Sequence, residues 1–308
     1  MDRRIKFRHL EAFIAIARAK SLKRAAGQLN LTQPTISKTL KELETILKVS
    51  LMDRGRAGVR LTAEGEVFLQ FAEQSMSALQ SGLTSIAGIG AGAGALLTIG
   101  ALPSVAAGIL PDAVLRFRGQ SPATVVRVLE GPHDDLTDRL RSGALDLVVG
   151  RLGRPQTMAG LAFTQLYSEQ VVVVVAPDHP LVGVTQLDQL RGFPVLYPPP
   201  GAAIRPLVAR QMIATGMPLF GDRIECASGA FGRAMTLGPS RAIWFISRGV
   251  VADDLDHRRL VSLDIDLRAT AGPVGIMARA EEVPGPLVHL FRQSLRETVA
   301  HSATDSAP

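Results

Sequence analysis

Apolar residues recur at helical spacing near the amino terminus of the chain. One such stripe consists of Ile36, Leu40, Leu43 and Leu47. Their intervals of four, three and four residues predict a helix with one buried face. Thr32 stands where a hydroxyl caps free N–H groups. Pro34 fits the first turn because the N–H it lacks has no helical partner there.

The polar side chains of this helix are predicted to face away from the buried stripe. They are Gln33, Thr35, Ser37, Lys38 and Lys41. Short polar and basic side chains at the start of a helix suit entry into the major groove of DNA. Ala25 and Ala26 are small enough for two helices to cross closely just before it. The segment from Leu10 to Gly65 therefore predicts a winged helix-turn-helix that binds DNA.

Positive charge is concentrated in the same segment. Residues 1–66 contain 14 lysines and arginines against 7 aspartates and glutamates, whereas the rest of the chain contains 20 against 21. All six lysines lie between Lys6 and Lys48. A basic surplus confined to one small domain is expected of a surface that contacts DNA phosphates, and it makes a solvated face without a partner the weaker interpretation.

A second apolar stripe follows, on a helix predicted from about Thr62 to Ala87. Its members are Leu69, Ala72, Met76, Leu79, Leu83 and Ile86. Alternating intervals of three and four form a heptad seam, which predicts dimerisation through this helix. Packing of the helix on its own domain is the alternative. Four glycines within residues 88–94 are predicted to end the helix and form a flexible joint at a domain boundary.

Beyond the joint, strand and helix patterns alternate. Strands are predicted at 96–101, 125–130, 147–150, 171–176, 195–197, 224–227, 242–246 and 274–277, and helices at 104–118, 134–141, 204–215, 229–237 and 287–299. Such alternation predicts an α/β fold with mostly parallel sheets.

Composition narrows the classes of function. The lone cysteine, Cys226, excludes an internal disulfide, fits a reducing cytoplasm and is expected in the core. We expect no signal peptide, membrane span, metal site or cofactor, because no apolar stretch is long enough and no His and Cys cluster has zinc spacing. Asp134, Asp135 and Asp138 are expected to form a solvated acidic face on one helix.

The amino-terminal segment resembles the DNA-binding domain of LysR-type transcriptional regulators. The resemblance is carried by Ala25-Ala26, Gln33-Pro34, Leu43-Glu44 and Leu61-Thr62-Ala63-Glu64-Gly65. It implies a winged helix-turn-helix over residues 1–65, a dimerising linker helix and hinge over 66–94, and an effector domain over 95–308. That domain is expected to have two lobes like a periplasmic binding protein, lobe I at about 95–167 and 272–303 and lobe II at about 168–271. Met52 replaces the usual Phe, and Lys48 replaces a common Gly.

The resemblance also implies residues for each partner. Operator DNA is expected to contact Arg24, Thr32, Gln33, Pro34, Thr35, Ser37, Lys38 and Lys41, with Arg54 and Arg56 of the wing on the DNA backbone. A small organic-acid inducer is expected to contact Ser104, Pro132, His133, Arg151, Arg205 and Phe231. Ser104 opens a predicted helix whose free N–H groups suit a carboxylate, and Arg151 follows a strand at the edge where ligands bind in α/β sheets.

A finer resemblance points to the subgroup of activators that control protocatechuate catabolism. It is carried by the segments Gly100–Val105, Asp146–Leu152, Met158–Leu161, Ala242–Ser247 and Gly272–Gly275. This subgroup implies a carboxymuconate-type inducer, RNA polymerase as a partner, and a homodimer or homotetramer. A neighbouring subgroup that controls sugar-binding and uptake genes stays open.

Two other classes of protein are weaker alternatives. A solute-binding protein would not need the DNA-binding segment. An α/β enzyme is disfavoured because Ser104 lacks a G-x-S-x-G elbow and no phosphate-cradling glycine pattern is present.

Overall fold

The structure is a computed structural model that describes residues 4–55, 58–91, 94–218 and 220–305. Within these ranges the structure describes the backbone but not the side chains of residues 54, 74, 77, 78, 80, 81, 84–91 and 303–305. The chain divides into two units, residues 1–93 with 141–144 and residues 94–140 with 145–308, which we describe separately.

The first unit begins with three helices and a hairpin and ends in a long helix. These elements are α1 (Phe7–Ala19), α2 (Leu22–Gln28), α3 (Gln33–Leu47), β1 (Met52–Gly55), β2 (Gly58–Leu61) and α4 (Ala63–Ala91). Ala25 and Ala26 are buried where α1, α2 and α3 meet. Ile36, Leu40 and Leu43 are buried in the same core, as the apolar stripe predicts.

Side chains at the element ends fix the turns of this unit. The Ser21 hydroxyl accepts from the Arg24 N–H at the start of α2, and Thr32 accepts from the Thr35 N–H at the start of α3. Glu44 of α3 accepts from the N–H groups of Leu51 and Met52, at 2.8 and 3.3 Å. These two hydrogen bonds attach the backbone at the start of the β1–β2 hairpin, which forms the wing, to α3.

The helix α4 departs from the predicted linker in two ways. It continues to Ala91, so Gly88 and Gly90 lie inside the helix, and the joint is shorter than predicted. Ala72 is buried in the core of the first unit, and Leu69 and Met76 pack against that core.

Only part of the heptad seam is therefore available to a second copy. Ala72 is 1% exposed and cannot reach a second copy, which corrects the prediction for this residue, whereas Leu69 and Met76 are half-buried and stay predicted members of the seam. Leu79 and Leu83 are 47% and 54% exposed. The side chain of Ile86 lies outside the described part of the chain.

The second unit starts with a sheet that its last strand and helix complete. Its elements are β3 (Leu96–Ala101), α5 (Pro103–Ala107), α6 (Leu110–Gln120), β4 (Val125–Glu130), α7 (His133–Arg141), β5 (Leu147–Arg151) and β6 (Leu161–Glu169). Within the described residues this first sheet has the order β4-β3-β5-β12-β6, where β12 (Gly272–Arg279) is a strand from near the end of the chain. Phe117 of α6 packs edge-on against Phe291, at 5.5 Å between ring centroids, and so covers one face.

The second sheet is formed by the middle of this unit. Its elements are β7 (Val171–Val175), β8 (Val195–Tyr197), α8 (Arg205–Ala214), β9 (Arg223–Glu225), α9 (Gly229–Leu237), β10 (Ile243–Ser247), α10 (Ala252–Asp256) and β11 (Val261–Ser262). The described strands lie in the order β11-β7-β10-β8-β9. The chain then returns to the first sheet through β12 (Gly272–Arg279) and α11 (Pro286–Asp305).

The chain thus passes twice between the sheets. It leaves the first sheet between Glu169 and Val171 and returns in the segment before Gly272. The Val171 N–H donates to the Thr270 hydroxyl at 2.9 Å, which joins the two crossings side by side. The result is a two-lobed α/β unit.

Three expectations about the second unit were wrong. The helix predicted over 104–118 is two helices, because Gly108 interrupts it and a Cβ there would lie 2.8 Å from the Ser104 carbonyl oxygen. The strand β6 was missed; its register against β12 shifts at Val274 and Gly275, and a bulge breaks the alternation that reveals a strand. Of the described strand pairs in this unit, four are parallel and four antiparallel, so the sheets are not mostly parallel.

The described residues include no helix that is long and apolar enough to cross a membrane.

Lys48 provides a test of the turn between α3 and the wing. It caps α3 at φ +60°, a left-handed conformation that suits glycine and strains a side chain. We expect Lys48→Gly to raise the local free energy of unfolding by about 0.5–1 kcal/mol, because relief of strain exceeds the added chain entropy. Hydrogen exchange of α3 amides in the full chain measures this.

The matched control places glycine within the same helix. Lys41→Gly should lower that free energy by about 1 kcal/mol, since Lys41 lies in the helix interior. Equal losses in both variants would contradict strain at Lys48.

Candidate functional site

The start of α3 presents polar side chains on an exposed surface. Gln33, Pro34, Thr35, Lys38 and Lys41 are exposed, as are Thr32 and Arg24 nearby, and Ser37 is half-buried. The stripe of Ile36, Leu40 and Leu43 is buried behind them. The Thr32 and Thr35 hydroxyls lie 2.8 Å apart and bond to each other. The outward face of α3 can therefore offer amide, hydroxyl and ammonium groups to a partner.

The predicted wing contacts are described only in part. Arg54 lies in β1, paired with Val59 of β2, but its side chain is outside the description. Arg56 lies outside the described residues altogether. The hairpin is placed beside α3 by Glu44, so the positions of Arg54 and α3 belong to one small folded unit.

A cavity of about 270 Å³ lies between the two lobes of the second unit. Its lining from the first lobe comprises Leu102–Ser104, Glu130–His133 and Arg151. Its lining from the second lobe comprises Pro198–Ile204, Cys226, Ala227, Phe245–Ser247 and Val250. The lining is largely apolar and receives the carboxyl ends of strands from both sheets, where ligands bind in α/β folds.

Four of the six predicted effector residues line this cavity. They are Ser104, Pro132, His133 and Arg151. His133 is the buried first residue of α7, and a Cβ at Gly153 would lie 2.1 Å from its ring, so Gly153 leaves it room. Ser104 belongs to a five-residue helix in which the N–H groups of Val105 and Ala106 already donate to the Leu102 carbonyl. These two N–H groups are not available to a carboxylate.

The other two predicted residues lie elsewhere. Phe231 is 43% exposed and does not line the cavity. Arg205 donates to the Pro198 carbonyl at 2.7 Å and pairs with Glu225 at 3.0 Å, with its guanidinium over the Tyr197 ring. Arg205 therefore holds the proline segment that lines the cavity, and it is not a second cation inside it.

Cys226 also departs from expectation. It was predicted in the core but is half-buried at the cavity wall. Its Sγ accepts from the Ser228 N–H at 3.2 Å, next to the start of α9.

Arg151 is almost fully buried, at 4% exposure, at the end of β5. Its guanidinium donates to the Thr270 carbonyl at 3.2 Å and to the Glu169 carbonyl at 2.9 Å. It also lies 3.7 Å from the Glu169 carboxylate. Burial lowers the pKa of Arg151, and the charge of Glu169 opposes that shift.

Glu169 is the residue that the sequence interpretation missed. It ends β6 at 6% exposure and accepts from the Gly249 N–H at 2.9 Å. Burial raises its pKa, while Arg151, the Gly249 N–H and the Ser104 and Ser247 hydroxyls lower it. The available signal was an acidic residue placed two positions before a run of five valines, where a buried strand begins.

Comparison with known protein families gives two matches. Residues 7–66 match the model described as a bacterial regulatory helix-turn-helix protein of the lysR family, and residues 90–300 match the LysR substrate binding domain. Together they cover most of the chain.

Individual relatives match over nearly the whole chain. It is 44% identical over 299 residues to the HTH-type transcriptional regulator PcaQ of Agrobacterium fabrum (strain C58), covering 96% of each chain. It is 33% identical over 300 residues to the uncharacterized HTH-type transcriptional regulator YdcI of Escherichia coli (strain K12), covering 97% of each.

Solved structures show the same fold. CbnR, a LysR family transcriptional regulator, superposes with a TM-score of 0.61 at 22% identity, over 96% of this chain and 99% of that chain. Full-length CbnR complexed with its target DNA gives a TM-score of 0.59 at 22% identity, over 96% of this chain and 100% of that chain.

Arg151→Ala tests whether the cavity arginine also stabilises the fold. We expect the free energy of unfolding of the second unit to fall by about 3–5 kcal/mol, because Glu169 is left buried without its counter-ion. Urea unfolding of the full chain, followed by the fluorescence of Trp244, measures the loss, since Trp244 is the single tryptophan and lies buried in this unit.

Arg116→Ala is the matched control. The pair of Arg116 with Glu297 also spans 3.7 Å, but each side chain is 36% exposed, so we expect a loss of about 0–1 kcal/mol. Adding Glu169→Gln to Arg151→Ala should restore most of the stability. Similar losses of unfolding free energy for Arg151→Ala and Arg116→Ala would show that burial does not make the Arg151–Glu169 pair more important for stability than the exposed pair.

Proposed function

The chain belongs to the LysR family of transcriptional regulators, and from this premise we propose that it controls aromatic-acid catabolic genes in response to a small carboxylate. Members of the family are regulators and not enzymes, and they bind operator DNA and small-molecule effectors as oligomers. The observation that carries the proposal is the cavity between the lobes, which holds Arg151 within an apolar lining. We further place the protein in the cytoplasm, with its DNA, and assign RNA polymerase as a partner.

DNA recognition is assigned to the exposed face of α3. Gln33, Pro34, Ser37 and Lys38 are proposed to face base edges, with Thr32, Thr35, Lys41 and Arg24 beside them and Arg54 and Arg56 on the DNA backbone. Exposure of these α3 side chains over a buried apolar stripe supports the assignment, because a recognition helix needs one face for the groove and one for the core.

Gln33→Ala tests the recognition helix. A glutamine amide forms two hydrogen bonds with an adenine, so its loss should weaken operator binding by about 1–3 kcal/mol and relax specificity at one base position of each half-site. Fluorescence anisotropy against operator DNA and a scrambled duplex, at one stated salt concentration, measures both effects.

Gln28→Ala is the control for this variant. Gln28 is an exposed glutamine at the end of α2, outside the recognition helix, and its removal should leave both affinities unchanged. Unchanged discrimination in Gln33→Ala would reject the assignment of α3.

Dimerisation is assigned to the distal half of the seam. Leu79 and Leu83 lie one turn apart on α4 and are half-exposed, which supports a face that a second copy covers. The double variant Leu79→Glu, Leu83→Glu should dissociate the linker pair and lose operator binding, because it puts unpaired charge at the interface.

Sedimentation of the full chain measures the oligomer. The control carries the same added charge at Ile213→Glu and Val283→Glu, which are 78% and 88% exposed in the second unit. An unchanged oligomer in the Leu79 and Leu83 variant would remove α4 from this role.

The chemistry of the inducer follows from the cavity lining. Recognition of a neutral sugar needs many amide and stacking groups, and the described residues that line the cavity include no amide side chain and, besides the His133 imidazole, one aromatic ring, Phe245. A carboxylate is better matched by Arg151, with the hydroxyls of Ser104 and Ser247 beside it.

Similarity to PcaQ, a protocatechuate catabolism activator, supports the aromatic-acid pathway, for which we propose a carboxymuconate-type inducer; regulation of sugar uptake is the second candidate. Ligand-dependent closure of the lobes would then shift the protein between two DNA-bound arrangements that bend the operator differently. The sign of this effect at a promoter is proposed to be activation.

A further inference from the structure

One buried carboxylate bridges the two lobes next to the proposed inducer cavity, and the inference drawn from it rests on the carboxylate ligand proposed above. Glu169 ends the strand from which the chain crosses into the second lobe. From the first lobe it meets Arg151 and Ser104, and from the second lobe Ser247 and the Gly249 N–H. Three of these partners, Arg151, Ser104 and Ser247, line the cavity.

Two glycines keep this cluster tightly packed. A Cβ at Gly249 would lie 2.5 Å from the Oε1 of Glu169, and a Cβ at Gly272 would lie 2.7 Å from the Nη1 of Arg151. A larger residue at either position would push the carboxylate or the guanidinium away. The close approach of Glu169 and Arg151 therefore depends on the absence of a side chain at Gly249 in the second lobe and at Gly272 after the returning crossing.

Two buried polar atoms of the cluster have no hydrogen-bond partner among the described residues. Oε1 of Glu169 accepts from Gly249, but Oε2 is buried with no hydrogen-bond partner among the described residues. Nε of Arg151 is likewise buried without a described partner. The cluster therefore keeps one unused donor and one unused acceptor, both buried, directly behind the part of Arg151 that lines the cavity.

The charge of the cluster decides which ligand can enter. The titratable and charged groups that face Glu169 are Arg151 of β5 and Tyr167 of its own strand, and the other contacts are hydroxyls and backbone N–H groups. Burial raises the pKa of Tyr167, so its hydroxyl stays neutral. Arg151 and Glu169 then cancel each other. A ligand carboxylate would place two negative charges around one buried cation.

We propose that Glu169 sets the charge specificity of the cavity, and that a carboxylate ligand binds to Arg151 together with one proton taken from solvent onto Oε2 of Glu169. The protonated carboxyl becomes a donor, and the site again holds one positive and one negative charge. A neutral ligand requires no such proton. The raised pKa of Glu169 favours this uptake, because burial already destabilises its charged form.

The affinity for a carboxylate ligand should fall as the pH rises. Where Glu169 is ionised in the free protein and protonated in the complex, one proton is bound with the ligand, so affinity falls up to about tenfold for each unit of rising pH. Below the pKa of Glu169 in the free protein the dependence disappears. An aromatic or aliphatic acid is itself ionised throughout the range from about pH 6 to about pH 8, so its own titration adds nothing.

Isothermal titration calorimetry of the full-length wild-type protein tests the proposal without any variant. The probes are 3,4-dihydroxybenzoate, 3-carboxy-cis,cis-muconate and D-galactose, each titrated in phosphate and in Tris buffer. The different ionisation enthalpies of these buffers report the number of protons taken up. We expect uptake approaching one proton for a carboxylate that binds, and none for galactose.

Glu169→Gln provides the second arm. Glutamine keeps the size of the side chain and removes its charge, so carboxylate binding should become independent of pH, and at the upper end of the range it should be tighter than in wild type. Glu297→Gln is the control, because it removes the carboxylate of a solvent-exposed pair of the same 3.7 Å length. It should retain the wild-type pH profile.

Several outcomes would overturn the proposal. These are carboxylate binding to wild type without proton uptake, the same pH profile in Glu169→Gln as in wild type, or no carboxylate binding to either protein. Binding to Glu169→Gln alone supports it, since the charge of Glu169 then excludes the anion. Binding of galactose alone would also reject the proposed inducer class. The proposed regulatory function is judged separately by operator binding, which the calorimetry does not touch.

Discussion

The guanidinium of Arg151 holds together the two segments by which the chain passes between its sheets. It donates to the carbonyl of Glu169 on the outgoing segment and to that of Thr270 on the returning one. The Val171 N–H and the Thr270 hydroxyl add a direct bond between the segments. A buried cation is tolerated here because one carboxylate and two carbonyls compensate it. The spacing of the lobes, and hence the cavity, depends on this arrangement.

The structure of the amino-terminal unit could be predicted from its sequence because interactions between residues close in the chain determine it. A cap at Thr32, a stripe from Ile36 to Leu43 and two small residues at the helix crossing each act within a few residues, so pattern and structure agree. The strand Leu96–Ala101 and the helix Gly229–Leu237 were predictable at their full length for the same reason. The left-handed Lys48 shows that even a residue unlike the usual glycine adopts the backbone that the turn requires.

Features of the second unit that depend on residues distant in the chain could not be predicted in this way. Whether two strands are parallel depends on where the chain returns to the sheet, and no local periodicity of the sequence specifies this. The strand β6 was not recognised because its bulge interrupts the alternation of apolar and polar residues. Arg151 was recognisable as a candidate because it follows an apolar strand. Its partner Glu169 comes from another strand 18 residues later, and Thr270 lies 119 residues away. Arg205 was wrongly assigned to the ligand cavity because the sequence does not reveal that its guanidinium pairs with Glu225 and donates to the Pro198 carbonyl.

The double role of Arg151 constrains how this cavity can signal. A ligand shifts a conformational equilibrium only through contacts that differ between the two states. Since Arg151 bonds both crossing segments, a ligand that binds its guanidinium acts on the same group that sets the distance between the lobes. Removal of Arg151 therefore alters fold and recognition together, whereas a change of charge at Glu169 preserves the shape of the crossing. Of the two partners, Glu169 is the one through which binding chemistry can be separated from structural support.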